Sequence, residues 1–203
     1  MYKGEKSNHV KIRCDEIGMT LRVVFWICLL LSILYLGIGI FLALKPASEF
    51  SVSLMETSAG FIGIASAQEG SNIQFAVNVL NSAAIERPKL VYCTGYFVQW
   101  AANLTAVAIL WYIRNIFRNI EKRETPFLAE NSRAVRAIGI LVIVNAHIKT
   151  AFLPLFCAIL GIGAGGSEGM INVSSLLVGG VIICLSYIFA YGAVLQTEVD
   201  ETI

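Results

Sequence analysis

Apolar residues fall in four long runs divided by polar stretches. The first run covers residues 22–44, RVVFWICLLLSILYLGIGIFLAL, and is closed by Lys45-Pro46. The second covers 91–113, VYCTGYFVQWAANLTAVAILWYI, the third 138–162, IGILVIVNAHIKTAFLPLFCAILGI, and the fourth 175–195, SLLVGGVIICLSYIFAYGAVL. An apolar stretch of about 20 residues at 1.5 Å each crosses the hydrocarbon of a bilayer, so each run predicts a transmembrane helix. Aromatic residues sit near several run ends, among them Trp26, Tyr92, Tyr96, Trp111, Tyr112 and Tyr191, as interfacial belts require. The pattern predicts an all-α membrane protein, a bundle of four transmembrane helices. The remaining segments are an N-terminal stretch (1–21), a long connection (45–90), a charged connection (114–137), a short loop (163–174) and an acidic tail (196–203).

Composition agrees with this reading. Of 203 residues, 57% are hydrophobic and 14% charged, well under the charge that a soluble surface usually carries. The polar N-terminal segment is too long for a signal-peptide n-region, and the run after it lacks a small-x-small cleavage site, so that run is expected to be a retained span. The five cysteines show no CxxC or Cys/His spacing, which implies neither a disulfide framework nor zinc. The net charge of +1 names no partner, but its distribution gives an orientation. Residues 1–22 hold Lys3, Lys6, Lys11, Arg13 and Arg22, and residues 114–137 hold Arg114, Arg118, Lys122, Arg123, Arg133 and Arg136. Against these eleven, the 45–90 connection holds only Lys45, Arg87 and Lys89, and the 163–174 loop none. Basic residues stay in the cytoplasm, so both termini and the 114–137 connection are expected there, in a multi-pass protein of the bacterial inner membrane, with 45–90 outside.

The outside connection alternates at Phe50, Val52, Leu54 and again at Ile73, Phe75, Val77, Val79, with QEGSN between. Period-two alternation broken by a turn argues for half-buried strands. A small extracytoplasmic β-element between helices 1 and 2 follows, either a sensory or ligand-binding cap or a structural lid.

The charged connection is more than a link. LWYIRNIFRNIEK keeps apolar residues at 110, 113, 116, 117 and 120, the spacing of one helical face. The second helix therefore runs on for about 10 residues, ~15 Å, past its apolar run. Pro126 then stops it, and Thr125 as N-cap with Pro126 at the first helical position starts the next helix. Phe127 is expected to fold back on Phe117 and Ile120. The product is a helical hairpin whose candidate contact residues are Arg118, Lys122, Arg123, Pro126, Phe127, Glu130, Asn131, Arg133 and Arg136.

IFRNIEKRETPFLAENSRAVRAIG resembles the signature turn of the DUF2975 family of bacterial four-span integral membrane proteins, and IFAYGAVLQTEVDETI resembles the ending of that family. The chain departs from the pattern at Glu124-Thr125, where Gly or Lys is expected before the Pro. The resemblance implies a four-span fold. It also implies a partner, because members are often encoded beside a small helix-turn-helix regulator.

Candidate chemistry is sparse. No GxSxG, HExxH or P-loop occurs, and all fourteen acids lie outside the four runs. No enzyme, cofactor or metal site is expected. The glycines of GIGAGG (161–166) and Gly179-Gly180 fit close helix packing better than a nucleotide loop. Lys149 stands out, mid-run, with Asn145 and His147 just before it. A cation at mid-bilayer costs ~2.5–3.5 kcal/mol even on the mildest scale. Asn145, His147 and Lys149 are therefore expected to form an intramembrane polar cluster, with Tyr96, Gln99, Asn103, Tyr187, Tyr191 or Glu56 as partners. The alternative is a lysine that snorkels to water beside Pro154.

The tail raises a last question. Glu198, Asp200 and Glu201 follow the fourth run, at a helix C-terminus that is already negative. They are expected either to meet Arg118, Lys122, Arg123, Arg133 or Arg136 in a weak clasp or to remain a solvated end. Three functions compete: a regulatory or sensory protein whose hairpin binds a soluble partner, with no direct contact to nucleic acid; a small transporter, or a channel formed by a homo-oligomer around Lys149; and a structural or immunity-type protein with membrane lipid as its only surroundings. The first is favoured, because the hairpin is what spanning a membrane does not require. The eleven-to-three bias of basic residues is testable directly: reporter fusions at residues 70 and 125 should give opposite sidedness, and matching signals would refute the orientation.

Overall fold

The structure is a computed structural model that describes residues 2–58, 60–68, 72–75, 79–123, 125–163 and 171–201. It contains α1 (Tyr2–Leu44), a three-stranded sheet of β1 (Phe50–Thr57), β2 (Gly60–Ala67) and β3 (Ile73–Phe75), then α2 (Pro88–Arg123), α3 (Ala129–His147), a π-helical turn (Ile148–Phe152), α4 (Leu153–Ile159) and α5 (Val173–Glu201). The chain is mostly helical, and four stretches are long and apolar enough to cross a membrane: Glu16–Leu44, Pro88–Arg123, Ala129–Ile159 and Val173–Val199. Three of them contain a predicted run whole; the third starts nine residues before its run, 138–162, and ends at Ile159, short of the predicted end. The polar N-terminal residues join α1, and α2 reaches Arg123 as its apolar face predicts. Contacts divide the chain into two compact units, residues 1–30, 105–144 and 173–203, and residues 31–104 and 145–172.

The second unit holds the sheet. α1 ends where Pro46 removes a backbone donor, and the Lys45 ammonium turns back to the Glu49 carboxylate at 2.8 Å. Lys89, in the first turn of α2, donates to the Lys45 carbonyl at 2.7 Å, pinning the start of α2 to the end of α1. The sheet is an antiparallel meander in the order β1-β2-β3. Its register sets Phe50, Val52 and Leu54 opposite Ala67, Ala65 and Gly63, and Ile73 and Phe75 opposite Ala65 and Gly63. These residues form one face, which packs on Val91, Tyr92 and Tyr96 of α2. The other face carries Ser51, Ser53 and the exposed Met55.

β2 is the strand that the sequence pattern does not announce. Its inward positions are small because the space is already taken: a Cβ on Gly63 would lie 2.5 Å from Leu80 Cδ1 and 3.2 Å from Leu54 Cδ2. Of the predicted alternation, Val77 lies outside the described residues, as do Glu69 to Ser71 of the predicted turn. An aromatic ladder ties α1 to α2 beneath the sheet. The Tyr35 and Tyr96 rings stack at 4.2 Å, Tyr96 Oη donates to the Tyr35 carbonyl at 2.8 Å, and Trp100 Nε1 donates to the Ser32 carbonyl at 3.2 Å.

The third apolar run is not the single helix its length predicts. Pro154 has no N–H to give Thr150, and its ring crowds that carbonyl. The helix widens into the π-turn at Ile148–Phe152 just before it, with the Thr150 hydroxyl turned back to the Ala146 carbonyl. α4 then ends in a Schellman motif. Gly161 has φ 71°, and Ile162 and Gly161 donate to the Cys157 and Ala158 carbonyls at 2.9 and 3.1 Å. Only glycine reaches that conformation without strain. The 163–174 loop is described at 163 and 171–174 only, so Gly165 and Gly166 of the GIGAGG stretch lie outside the described residues.

In the first unit α3 and α5 meet glycine to glycine. A Cβ on Gly139 would lie 2.8 Å from the Gly179 carbonyl oxygen, and a Cβ on Gly179 at the same distance from the Gly139 carbonyl oxygen. Backbone cannot step aside as a flexible side chain can. Close approach of small residues is how apolar helices gain contact without hydrophobic drive. Nothing lies within 4 Å of a Cβ built on the neighbouring Gly180. Gly139→Ala and Gly179→Ala should therefore each destabilise by about 1–3 kcal/mol, the usual cost of overpacking. Gly180→Ala should leave the thermal midpoint in detergent unchanged or slightly raised; equal midpoints for all three variants would refute the packing.

Candidate functional site: the polar hairpin

α2 leaves its apolar run with one face still apolar and the others lined by Asn115, Arg118, Asn119 and Lys122. The reversal that follows is built differently from the predicted cap. Thr125 does not begin the next helix. Its hydroxyl accepts the Phe127 N–H at 3.2 Å, a turn closed by a side chain two residues back, and it donates to Gln196 Oε1 of α5. The Pro126 carbonyl accepts the Leu128 N–H at 3.0 Å, and α3 starts only at Ala129. The extra residues carry Phe127 outward. Its ring meets Phe189 of α5 at 5.8 Å and lies over Gly192, where a Cβ would collide with it. The predicted packing of Phe127 on Phe117 and Ile120 is therefore corrected.

The hairpin closes on Asn131, which is fully buried. Asn131 Nδ2 donates to the Pro126 carbonyl at 3.0 Å, and Asn131 Oδ1 accepts from Asn119 Nδ2 at 2.9 Å. One side chain thus holds the turn and sets α2 against α3. Ser132, beside it, donates to the Ser186 carbonyl at 2.7 Å, fixing α5 to the same place. Arg136 lays its guanidinium over the Tyr187 ring, 4.7 Å from the centroid, and Arg114 over the Phe25 ring at 4.9 Å. Such contacts add modest attraction.

Between α2 and α3 opens a cleft of about 460 Å³ lined by Trp111, Tyr112, Asn115, Arg118, Asn119, Glu130, Arg133, Ala134 and Ala137. Arg118, Arg133 and Glu130 are exposed, and among the described residues none of the three has a hydrogen bond or ion pair. Lys122 and Arg123 are exposed on the last turn of α2. The hairpin thus combines an ordered, buried hinge with uncommitted cations.

The structure brings most of the predicted hairpin residues together, and it adds Asn119, Gln196, Ser132 and Ser186, which sequence reasoning missed. A signal for Asn119 exists: Asn115 and Asn119 are four residues apart on the face that carries Arg118. Nothing local marks Gln196 or Ser186. The tail residues Glu198 and Glu201 are exposed near the end of α5, and the Asp200 side chain lies outside the described residues. The junction between hairpin and α5 includes Thr125 with Gln196, Phe127 with Phe189, Ser132 with Ser186 and Arg136 with Tyr187.

The second predicted group lies in the other unit. Asn145 Nδ2 donates to the Ala102 carbonyl at 2.7 Å, and His147 Nε2 accepts the Asn172 N–H at 3.2 Å. Lys149 is exposed on the π-turn, and among the described residues it has no hydrogen bond or ion pair. The expected burial of Lys149 in a polar cluster is corrected: the widened turn before Pro154 buries Ile148 and turns the lysine out.

Four apolar helices of spanning length, a basic hairpin between the second and third, and a three-stranded sheet between the first and second define the class of chain. The profile of the family described as "Protein of unknown function (DUF2975)" matches residues 65–203, and the chain belongs to that family. The match begins within β2 and takes in β3 and every helix after it, including the hairpin. No curated protein matches the chain, and no solved structure does.

Asn131→Ala should orphan the Asn119 amide, at about 1–3 kcal/mol, and leave the Pro126 carbonyl with the Leu128 N–H alone. The hairpin should then open locally, and trypsin should cleave at Lys122 and Arg123 several-fold faster than in the wild type. Unchanged cleavage rates would refute the hinge role.

Proposed function

We propose that this chain is a non-enzymatic regulatory protein of the bacterial cytoplasmic membrane, with both termini and the hairpin in the cytoplasm, and that the hairpin binds a soluble protein. The observation that carries this reading is the division of labour within the hairpin. Asn131, Asn119 and Ser132 are used internally, while Arg118, Lys122, Arg123 and Arg133 are exposed. A segment that only connected two spans would need neither the buried hinge nor a helix extended past the apolar run. An ordered scaffold that presents cations suits an acidic surface on a partner, because complementary charge steers encounter and fixes register. The small helix-turn-helix regulator often encoded beside family members is the partner of choice. Orientation rests on the basic bias, and the grouping of 1–30, 105–144 and 173–203 in one compact unit supports it, since that unit gathers the eleven biased cations.

The experiment is co-purification from native membranes with the neighbouring regulator expressed at its own level. Wild-type protein should recover it. The triple variant Arg118→Glu, Lys122→Glu, Arg123→Glu should lose most of that recovery while its thermal midpoint stays within a few degrees. Equal recovery by both proteins, or none by either, would refute the reading.

A further inference from the structure

The cleft between α2 and α3 is polar at one end and apolar at the other, and the gradient is fixed by the hairpin. The Asn119–Asn131 hydrogen bond sets the register of two antiparallel helices. From Asn119 back to Trp111, α2 descends eight residues, ~12 Å. Over the same length α3 runs from Glu130 to Ala137. Arg118, Glu130 and Arg133 therefore stand toward the turn end of the cleft, and Trp111 and Ala137 at the other, where α2 enters its apolar run.

We propose that this cleft binds the headgroup of an anionic phospholipid of the membrane leaflet on the hairpin side. Its phosphodiester lies between the Arg118 and Arg133 guanidinium groups, and its glycerol backbone lies against Trp111 and the alanines. Three features select that ligand. First, the shape is amphiphilic: a free anion would use only the rim, and an apolar ligand would leave the guanidinium groups unserved. Second, guanidinium matches a phosphodiester in a two-pronged, charge-assisted geometry, and both arginines are uncommitted among the described residues. Third, the charge fits a single negative group. The cleft itself carries two arginines and one glutamate, and the surrounding 114–137 segment adds Arg114, Lys122, Arg123 and Arg136 against Glu121 and Glu124. A zwitterionic lipid would bring its own cation into that field. Trp111 and Tyr112 belong at headgroup depth, where an aromatic ring has one apolar and one wet side, and basic pockets between spanning helices suit anionic headgroups on general grounds. The site rests on the membrane setting and orientation proposed above, but it does not require the soluble partner. Because Arg118 belongs to both surfaces, lipid and protein partner would compete for it.

The test uses the purified full chain in detergent, without any partner, and counts bound lipid by native mass spectrometry. Phosphatidylglycerol is compared with phosphatidylcholine and phosphatidylethanolamine of equal chain length. Phosphatidylglycerol should bind at least about tenfold more tightly than either, and Arg118→Gln with Arg133→Gln should remove that advantage, as expected where charge-assisted pairs supply it. Lys122→Gln with Arg123→Gln, outside the cleft lining, should retain it to within about twofold. Glycerol 3-phosphate should not displace the lipid at comparable concentration; displacement would reassign the site to a free phosphate. Equal binding of all three lipids, or an undiminished advantage in the Arg118/Arg133 variant with helix content intact, would overturn the proposal. No recovery of the regulator by the wild-type chain, with lipid binding intact, would refute the partner reading alone.

Discussion

A chain that reverses between two long helices strands backbone groups. The last carbonyls of the first helix and the first amides of the second have no partners of their own, and no water reaches those that are buried. In the hairpin Asn131 serves the turn between those two ends. Its amide nitrogen serves the Pro126 carbonyl, and its amide oxygen takes the Asn119 side chain. Only a side chain with both donor and acceptor at one end can do this, which is why an amide stands at the most buried polar position of the segment. The register of α2 against α3, the cleft between them and the outward aim of the basic residues all follow from that pair of hydrogen bonds.

A second consequence is that α5 becomes part of the hairpin. With Thr125 spent on the turn and on Gln196, the chain between α2 and α3 is anchored to the last helix at its tip. Ser132 and Ser186 anchor it lower down, and the Gly139–Gly179 approach anchors it lower still. Successive contacts of different chemistry along one helix pair fix both rotation and depth. A single salt bridge between the tail and the hairpin would fix neither, given the small net worth of an exposed pair.

The other unit solves its packing by exchanging sizes. Large residues on β1 face small ones on β2 across the same register, so the sheet brings Phe75 and Tyr92 into one core. Lys149 belongs to this unit and shows how backbone geometry can decide the fate of a charge. A regular helix through Pro154 would have to strain, and the π-turn that relieves it sends the lysine outward.

The four apolar helices were fixed by sequence alone, because long runs such as 22–44 and 175–195 admit no other regular use. The extension of α2 to Arg123 was equally readable, since apolar residues at 113, 116, 117 and 120 continue one face. The break near Lys149 was marked by Pro154, though the form it takes was not. What sequence could not supply depends on neighbours distant in the chain. β2 was invisible because its inner positions, Gly63, Ala65 and Ala67, are small, and at Gly63 the space a side chain would need is held by Leu54 and Leu80. Pro126 after Thr125 reads locally as a helix start, but the threonine oxygen closes a turn on the Phe127 N–H while its proton goes to Gln196, 71 residues on, and α3 starts only at Ala129. Asn131 reads as an ordinary polar residue on a helix until the tertiary structure places it between a carbonyl and a second amide. Local pattern reports on what each segment buries, whereas the partner that satisfies a buried polar group is chosen only when the segments meet.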